Sequence, residues 1–216
     1  MDGNRRWAKG KGLPLVEGHR AGAGLFKKTS VEWLRKFNIP NLVLYAFSTE
    51  NWGRAPEEVA YILDLFRIMI REHFEEIAKE DVCLRFVGER ERFPTDIQES
   101  MNRLEHMTES NKKGTVYVAV SYGGRAEIVR AVNKLLAEKK DSVTEEEFSK
   151  NLWTYPMPDP DLIIRTGGDM RLSGFLTWQS VYSELFFIKT LWPDFTEKEF
   201  ESIVEEFHTR TRRYGK

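Results

Sequence analysis

The stretch Leu42-Val43-Leu44-Tyr45-Ala46-Phe47-Ser48-Thr49-Glu50-Asn51-Trp52-Gly53-Arg54 joins an apolar run to a dense polar turn. The run 42–46 predicts a buried parallel strand, because such strands are apolar on both faces. Pro56 then opens a helical pattern, since proline is favoured in the first turn of a helix. The polar residues 47–54 therefore form a strand-to-helix turn, the place where open α/β sheets bind ligands. A capped polar loop without function is the alternative for these residues alone.

The same alternation of apolar runs and helical patterns continues along the chain. Strands are predicted at 41–47, 82–87, 115–121, 162–164 and 184–188. Helices are predicted at 21–37, 56–79, 94–111, 126–138, 175–182 and from a capping box at Thr196 to about Arg213, with a second capping box at Thr144. This order predicts one α/β domain over 1–216, with a parallel β-sheet and helices on both faces. The polar turns 47–54, 121–125 and 165–174 are then expected at one edge of the sheet.

Composition restricts the class of protein. The chain has 216 residues, a net charge of -1 and 31% charged residues, which is typical of a soluble globular protein. Trp7 and Trp52 could stack nucleic-acid bases, but the charge is slightly negative and no binding motif is present, so no nucleic acid is expected. The single cysteine, Cys83, predicts a buried thiol in a reducing, cytoplasmic location. No apolar run is long enough to span a membrane.

Basic and hydroxyl side chains are concentrated near the predicted sheet edge and in the glycine-rich segment 1–20. That segment is either a phosphate cradle or a flexible basic arm. The set that suits a phosphate is Arg6, His19, Arg54, Arg165, Arg171 and Ser173. The acids beside them, Asp2, Glu50, Asp169 and Glu184, suffice for Mg²⁺, which needs few carboxylates when phosphate oxygens are present. The residues therefore predict a Mg²⁺-dependent enzyme acting on a diphosphate.

The predicted helix 56–79 carries a wide apolar stripe from Val59 to Ile77. Such a stripe either packs in the core or walls a cavity for a long apolar ligand. The sequence alone leaves both interpretations open.

Seven motifs together resemble the cis-prenyltransferases. They are Met1–Ala8, Gly18–Gly22, Tyr45–Trp52, Tyr122–Arg125, Ile164–Asp169, Arg171–Ser173 and Leu191–Phe195. They cover essentially the whole chain in the order of the family, and their combination is specific where one motif alone would be weak.

The resemblance implies roles for individual residues. Asp2 and Asn51 would be catalytic, and Asp2 and Glu184 would hold Mg²⁺. Ser48 and Asn51 would lie where isopentenyl diphosphate loses its proton. The implied substrate-binding residues are Gly3, Asn4, Arg6, Trp7, His19, Ser48, Thr49, Glu50, Trp52, Arg54, Arg165, Arg171, Leu172 and Ser173.

The resemblance also implies partners and a product. Isopentenyl diphosphate and an allylic diphosphate, farnesyl diphosphate, would give a polyprenyl diphosphate that grows in an apolar tunnel and serves as a lipid carrier precursor for cell-wall or glycan synthesis. The terminal Arg213-Tyr214-Gly215 would reach across a homodimer, and product release would involve peripheral membrane contact. In the family an apolar strand precedes the motif at Met1, so upstream residues are expected here.

This chain departs from the family pattern at five positions. Arg5 stands where a glycine is usual, and Leu15 stands where an arginine contacts diphosphate; Arg5 is a candidate replacement for that cation. The other departures are Asp169 for glutamate, Gly174 for asparagine and Ala55 for proline. A non-catalytic subunit of the same fold is the main rival. Against it stands the retention of Asp2, Asn51, Arg165, Arg171 and Glu184.

Overall fold

The computed structural model describes residues 1–210. Its helices are α1 (Asn4–Gly10), α2 (Leu15–Lys28), α3 (Leu34–Lys36), α4 (Pro56–Met69), α5 (Glu75–Lys79), α6 (Thr95–Thr108), α7 (Gly124–Ala137), α8 (Glu145–Ser149) and α9 (Glu197–Thr209). Its strands are β1 (Asn41–Tyr45), β2 (Cys83–Val87), β3 (Thr115–Ala119), β4 (Leu162–Arg165) and β5 (Glu184–Phe187). Short π-helical segments at Thr29–Trp33 and Ile70–Phe74 continue α2 and α4.

The strands pair in parallel, as predicted. β1, β3 and β2 form one sheet in that order, and β4 pairs with β5 in a second ladder. The α/β class with parallel strands is therefore confirmed. The apolar product tunnel stays a prediction.

Backbone contacts divide the chain into two compact units that are interleaved in sequence. The first unit comprises Met1–Phe26, Asp159–Ser173 and the described residues of Gln179–Lys216. The second unit comprises Lys27–Pro158 and Gly174–Trp178. The turns 47–54 and 121–125 thus belong to the second unit, and 165–173 belongs to the first. The boundary of a single domain over 1–216 stays a prediction.

β3 lies at the centre of the second unit because it is flanked by a strand on each side. Val116, Val118 and Ala119 are fully buried, as expected for a strand covered on both faces. Cys83 begins the neighbouring β2 and is a buried free thiol, as predicted; burial is the largest cause of its raised pKa.

The apolar stripe of 56–79 divides into two parts. Phe66 is buried and packs against Phe74, Phe86 and Phe93, with ring centroids 5.8 to 6.3 Å apart. A second set of apolar side chains on α4 is only half-buried: Val59, Ile62, Leu63, Leu65 and Ile68. One part of the stripe is therefore core, and the other part is partly exposed, so its role as a wall for an apolar ligand stays a prediction.

The predicted helix at 175–182 is wrong. The segment forms successive turns instead. Ser173, Gly174 and Leu176 have φ angles of 50°, 77° and 47°, which a right-handed helix does not allow. The carbonyl of Gly174 accepts a hydrogen bond from the Gly124 amide over 2.7 Å, so a tertiary contact holds this backbone.

The amino-terminal segment is helical rather than a flexible arm. It contains α1 and the first turns of α2, which begins at Leu15, directly after Pro14, and not at residue 21 as predicted. Proline there agrees with its preference for helix starts.

The two predicted capping boxes have different outcomes. The box at Thr144 is complete. At Thr196 only the hydroxyl half forms, because the Glu199 carboxylate accepts from Thr190 instead. The predicted end of α9 near Arg213 and the tail motif 213–215 lie outside the described residues. Within residues 1–210, no helix is both long and apolar enough to cross a membrane.

Candidate active site

The turn after β1 is held by its own side chains. The Ser48 amide donates to Asn51 Oδ1 over 3.0 Å, which fixes the carboxamide of the predicted catalytic Asn51. Arg54 is paired with Glu58, one helical turn further on, over 3.0 Å. Glu50 is exposed to solvent. The polar residues of 47–54 are thus organised by contacts within the turn and with the start of α4.

The turn after β3 anchors the turn after β1, as predicted for neighbouring parallel strands. The Tyr122 amide donates to the Phe47 carbonyl over 3.1 Å, and the Thr49 amide donates to the Tyr122 carbonyl over 3.0 Å. Trp52 Nε1 donates to Ser121 Oγ over 2.9 Å. The structure therefore brings these two polar turns together in the second unit.

Tyr122 is fixed in turn by a buried carboxylate. Its hydroxyl donates to Glu127 Oε2 over 2.6 Å, and Glu127 Oε1 accepts from the Thr154 amide and hydroxyl at 2.9 and 3.0 Å. Tyr122 is fully buried, and burial followed by the charge of Glu127 raises the pKa of its phenol. Short bonds to a carboxylate are among the stronger hydrogen bonds in proteins, so this network makes the turn rigid.

In the first unit, the backbone of Asp2 is held on both sides. Its amide donates to Thr166 Oγ1 over 2.9 Å, and the same hydroxyl donates to the Asp2 carbonyl over 2.8 Å. That carbonyl also accepts from the Trp192 amide over 2.9 Å. The main chain that carries the predicted catalytic carboxylate is therefore fixed.

Around Asp2 lies a cluster of guanidiniums and carboxylates. Arg165 Nη2 is 3.0 Å from Asp2 Oδ2 and 3.4 Å from Asp169 Oδ2. Arg6 Nη2 is 3.2 Å from Asp2 Oδ1, and Arg171 Nη2 is 3.0 Å from Asp169 Oδ2. Arg165 Nη1 also donates to Ser173 Oγ over 2.8 Å and to the carbonyl of Arg171. We call these five charged residues the arginine cluster.

The arginine cluster sets the ionisation of Asp2. Burial by itself raises the pKa of this carboxyl, but the hydrogen bond and charge of Arg165 and the charge of Arg6 outweigh it and lower the pKa below its ordinary value. Asp2 is therefore a carboxylate throughout the physiological range, as a metal ligand or an electrostatic group must be.

Glycines allow a close approach of backbone and side chains near Asp2. A Cβ on Gly22 would lie 2.5 Å from Asn4 Oδ1, and a Cβ on Gly18 would lie 2.0 Å from the Asn4 carbonyl. Gly3 has a φ of 110° and packs against Leu191. The spacing of Gly18 and Gly22 therefore positions α2 against α1, with His19 half-buried on α2.

The remaining predicted residues of the first unit lie at distinct places. Trp7 Nε1 donates to Asp194 Oδ1 over 2.7 Å, and the ammonium of Lys11 lies 4.2 Å from the Trp7 ring centroid. Leu172 is half-buried between Arg171 and Ser173. Leu15, the departure from the family arginine, is 41% exposed.

Within residues 1–210, Glu184 does not lie beside Asp2. It begins β5 opposite Leu162, whereas Arg165, the neighbour of Asp2, lies opposite Phe187. Three steps of a strand span about 10 Å. The carboxylate of Glu184 is instead paired with Arg210 over 2.8 Å. Its role as a metal ligand stays a prediction.

Asp2 could supply one carboxylate ligand to Mg²⁺, and the guanidiniums beside it would bind phosphate oxygens of the same diphosphate rather than the metal. Residues 1–210 contain no cluster of three or more His, Cys, Asp or Glu side chains suited to a metal. A metal at Asp2 would therefore depend on the diphosphate for further ligands, which agrees with the donor set present.

Sequence reasoning missed two functional contacts. Thr166 lies inside a recognised motif, but its double hydrogen bond with Asp2 joins residues 164 positions apart. The sequence likewise does not show that Ser121 accepts a hydrogen bond from Trp52 or that Tyr122 donates one to Glu127. The i, i+4 spacing of Gly18 and Gly22 was a usable signal of close helix packing.

Comparisons with known proteins show the family of this chain. The family model described as "Putative undecaprenyl diphosphate synthase" matches residues 1–215. The isoprenyl transferase of Thermotoga maritima is 45% identical, over 100% of this chain and 94% of its own; that of Fusobacterium nucleatum is 44% identical, over 100% and 93%.

Two solved structures also match. Lavandulyl diphosphate synthase from Lavandula x intermedia, in complex with dimethylallyl diphosphate, superposes with a TM-score of 0.95 at 30% identity, covering 100% of this chain and 95% of that one. A probable undecaprenyl diphosphate synthase from Campylobacter jejuni superposes with a TM-score of 0.81 at 37% identity, covering 90% and 92%. The chain therefore belongs to the isoprenyl transferase family and is a cis-prenyltransferase of the undecaprenyl diphosphate synthase type.

Proposed function

We propose that this cis-prenyltransferase adds isopentenyl diphosphate units to an allylic primer, farnesyl diphosphate, and so makes a long-chain polyprenyl diphosphate. The observation that carries the proposal is the arginine cluster. It offers three guanidiniums beside a fixed carboxylate, which is the donor set that a diphosphate and its metal require.

The residues of the arginine cluster would bind and orient the diphosphates. Arg165 and Arg171 present planar forks to the isopentenyl diphosphate, with Ser173 as a further donor, and Arg6 lies beside Asp2. Asp2 would hold Mg²⁺. When bound, that ion supplies neutralisation of the charge that develops on the departing diphosphate.

The condensation forms one carbon–carbon bond. The isopentenyl double bond attacks C1 of the allylic substrate, whose C–O bond breaks, and the diphosphate leaves with the electron pair. A proton is then lost from C2 of the isopentenyl unit, and a cis double bond results. Ser48 and Asn51 would sit at that proton, held by the Tyr122 turn. Alignment of two bound reactants is the main source of such catalysis.

The half-buried face of α4 is the proposed wall for the growing chain. Val59, Ile62 and Leu65 present apolar surface there that the core leaves partly open. A prenyl chain would cover this surface and gain the free energy of apolar burial. The polyprenyl product would serve as a lipid carrier precursor for cell-wall or glycan synthesis.

We also infer a cytoplasmic homodimer that contacts the membrane peripherally during product release. The exposed apolar side chains of Val181, Tyr182 and Leu185 in the first unit support a protein interface. Sedimentation velocity of the wild type and of Tyr182→Lys tests the dimer: a wild type that sediments as a monomer would contradict it.

The reaction is tested by incubation with farnesyl diphosphate, labelled isopentenyl diphosphate and Mg²⁺, followed by chromatographic sizing of the products. We expect a ladder of prenyl diphosphates that disappears with EDTA and in the Asp2→Asn variant. Absence of any labelled product with several allylic primers would overturn the proposal and favour a non-catalytic subunit.

A further inference from the structure

Asp169 lies among three guanidiniums. Its Oδ2 atom is 3.0 Å from Nη2 of Arg171, 3.4 Å from Nη2 of Arg165 and 3.8 Å from Nη2 of Arg6. Neither the chemistry of condensation nor the roles implied by the family resemblance use this carboxylate. The cations proposed to bind a diphosphate are therefore already paired with an anion of the chain itself.

The charges show why such a pairing is needed. The arginine cluster has three guanidiniums and two carboxylates, a net charge of +1 (3 minus 2). Without Asp169 the net charge would be +2, and three cations within a few ångströms of one another would repel strongly. Asp169 thus keeps the guanidiniums together when no substrate anion is present.

The backbone before Asp169 is fixed, but its side chain is accessible. The amides of Gly167 and Gly168 donate to the carbonyls of Thr190 and Ile188, each over 2.8 Å, and both glycines have positive φ angles. The side chain of Asp169 is 31% exposed and that of Arg171 is 63% exposed. A ligand can therefore reach these ion pairs, and rotation of the short carboxylate would release them.

We propose that Asp169 is a displaceable counter-ion of the diphosphate site. In the unliganded protein it is ion-paired with Arg165 and Arg171 at 3.4 and 3.0 Å and, more distantly, with Arg6 at 3.8 Å. A diphosphate then takes over the same guanidinium donors, and the carboxylate turns towards solvent. The site therefore binds diphosphate more weakly than the same three guanidiniums would without Asp169, because each diphosphate must displace this internal anion. Asp169 is a positioning residue, and its assignment deepens the proposed function at the same site.

The proposal is tested by calorimetric titration of inorganic diphosphate into the wild type, Asp169→Asn and Asp169→Ser, with EDTA present. We expect both neutral variants to bind diphosphate roughly threefold to thirtyfold more tightly, in line with the loss of partly exposed ion pairs. We also expect their affinity to fall more steeply with added salt, since an extra net positive charge faces the anion. Two neutral variants are used so that poor folding of one leaves the test intact.

Two control variants test whether the gain in diphosphate affinity comes from the charge at position 169. Asp169→Glu keeps the charge and is expected to bind diphosphate like the wild type. Glu17→Gln removes the same charge from an exposed pair with Arg20 on α2 and is expected to change the affinity little. If Glu17→Gln gained as much diphosphate affinity as the Asp169 variants, the net charge of the protein would explain the gain and the proposal would be overturned.

A second titration with isopentenyl diphosphate separates the headgroup from the hydrocarbon. We expect the same gain as for inorganic diphosphate, because the proposed contacts are to the diphosphate alone. Unchanged or weaker diphosphate binding in the neutral variants, or a gain confined to isopentenyl diphosphate, would overturn the proposal. These titrations involve no turnover, so they remain informative if the condensation reaction itself is not observed.

Discussion

The hydroxyl of Thr166 holds both backbone groups of Asp2, accepting from its amide over 2.9 Å and donating to its carbonyl over 2.8 Å. Thr166 is 2% exposed, so neither group can easily turn to water instead. The carboxylate of Asp2 is consequently placed by a residue that touches no substrate in the proposed mechanism.

Thr166→Val should lower kcat roughly tenfold to a hundredfold, because a small misplacement of a catalytic group is costly. The KM values for both substrates should change less, since the arginines remain. Steady-state kinetics with each substrate varied in turn measures this. Thr166→Ser keeps the hydroxyl and should retain most of the activity; an equal loss in both variants would show that packing of the methyl group matters instead.

Arg165→Ala and Arg171→Ala should raise the apparent KM for isopentenyl diphosphate more than that for the allylic substrate. The two guanidiniums and Ser173 lie within one hydrogen-bonded turn after β4. A charge-assisted contact is worth about 1.5–3 kcal/mol, which corresponds to a change of roughly ten- to a hundredfold. Equal effects on the two substrates would refute this assignment.

Ile62 and Phe66 provide a matched test of the apolar wall on α4. Ile62 is half-buried, whereas Phe66 packs inside an aromatic cluster. Ile62→Phe should shorten the polyprenyl products and Ile62→Ala should lengthen them, with the first condensation preserved. Phe66→Leu should instead lower the free energy of unfolding by about 1–3 kcal/mol.

Chromatographic product sizing and urea denaturation separate these outcomes. If the Ile62 variants lose stability but make the wild-type product distribution, the whole stripe is core and the wall assignment fails.

The ion pairs of Asp2 should make part of the stability depend on pH. Because the pKa of Asp2 in the folded protein lies below its ordinary value of 3.8, this contribution is fully present above that value and is lost as the pH falls through the lower, folded pKa. Arg165→Gln removes the charged hydrogen bond that lowers the pKa of Asp2 most. The stability difference between wild type and variant should therefore be largest near neutral pH and shrink in acid.

Urea unfolding at a series of pH values between about 7 and about 3 measures that difference. A difference that stays constant over the series would show that Arg165 stabilises the fold through packing rather than through the charge of Asp2.

Tyr122→Phe should destabilise the second unit by about 1–3 kcal/mol, because the buried Glu127 carboxylate loses its 2.6 Å hydrogen bond from the phenol. Tyr155→Phe, at a side chain that is 54% exposed, is the control and should change the free energy of unfolding little. Thermal and urea denaturation of both variants measures these changes in stability. Equally small losses in the two variants would contradict a stabilising role of the Tyr122 hydroxyl.

Local patterns predicted the elements whose structure is decided locally. The apolar run before Phe47 and the proline at 56 gave β1 and α4 correctly, because burial on both faces and helix initiation are written in adjacent residues. The segment 175–182 was not predictable in this way. Its backbone follows the positive φ angles at Ser173 and Leu176 and the hydrogen bond from Gly124, which no helical periodicity reveals.

In the candidate active site too, the sequence predicted the residue types but not the tertiary contacts. The residues of the arginine cluster were found from their types and from the motifs, but their pairing depends on strand register. Glu184 lies opposite Leu162 rather than Arg165 because β5 pairs with β4 in one particular register, and the sequence does not show that register. The link between Asp2 and Thr166 is likewise a tertiary contact, which only the folded chain brings together.

The interleaving of the two units has a consequence for biosynthesis. The partners of Asp2 emerge from the ribosome long after it does, because 164 residues separate it from Thr166. At about 5–20 residues per second that interval is roughly 8 to 33 seconds. During this time Lys27–Pro158 can form nearly all of the second unit, while α1, with its arginines and Trp7, has none of the carboxyl-terminal contacts that later hold it. The nascent amino-terminal segment is therefore the part of this chain that we expect chaperones and proteases to meet first.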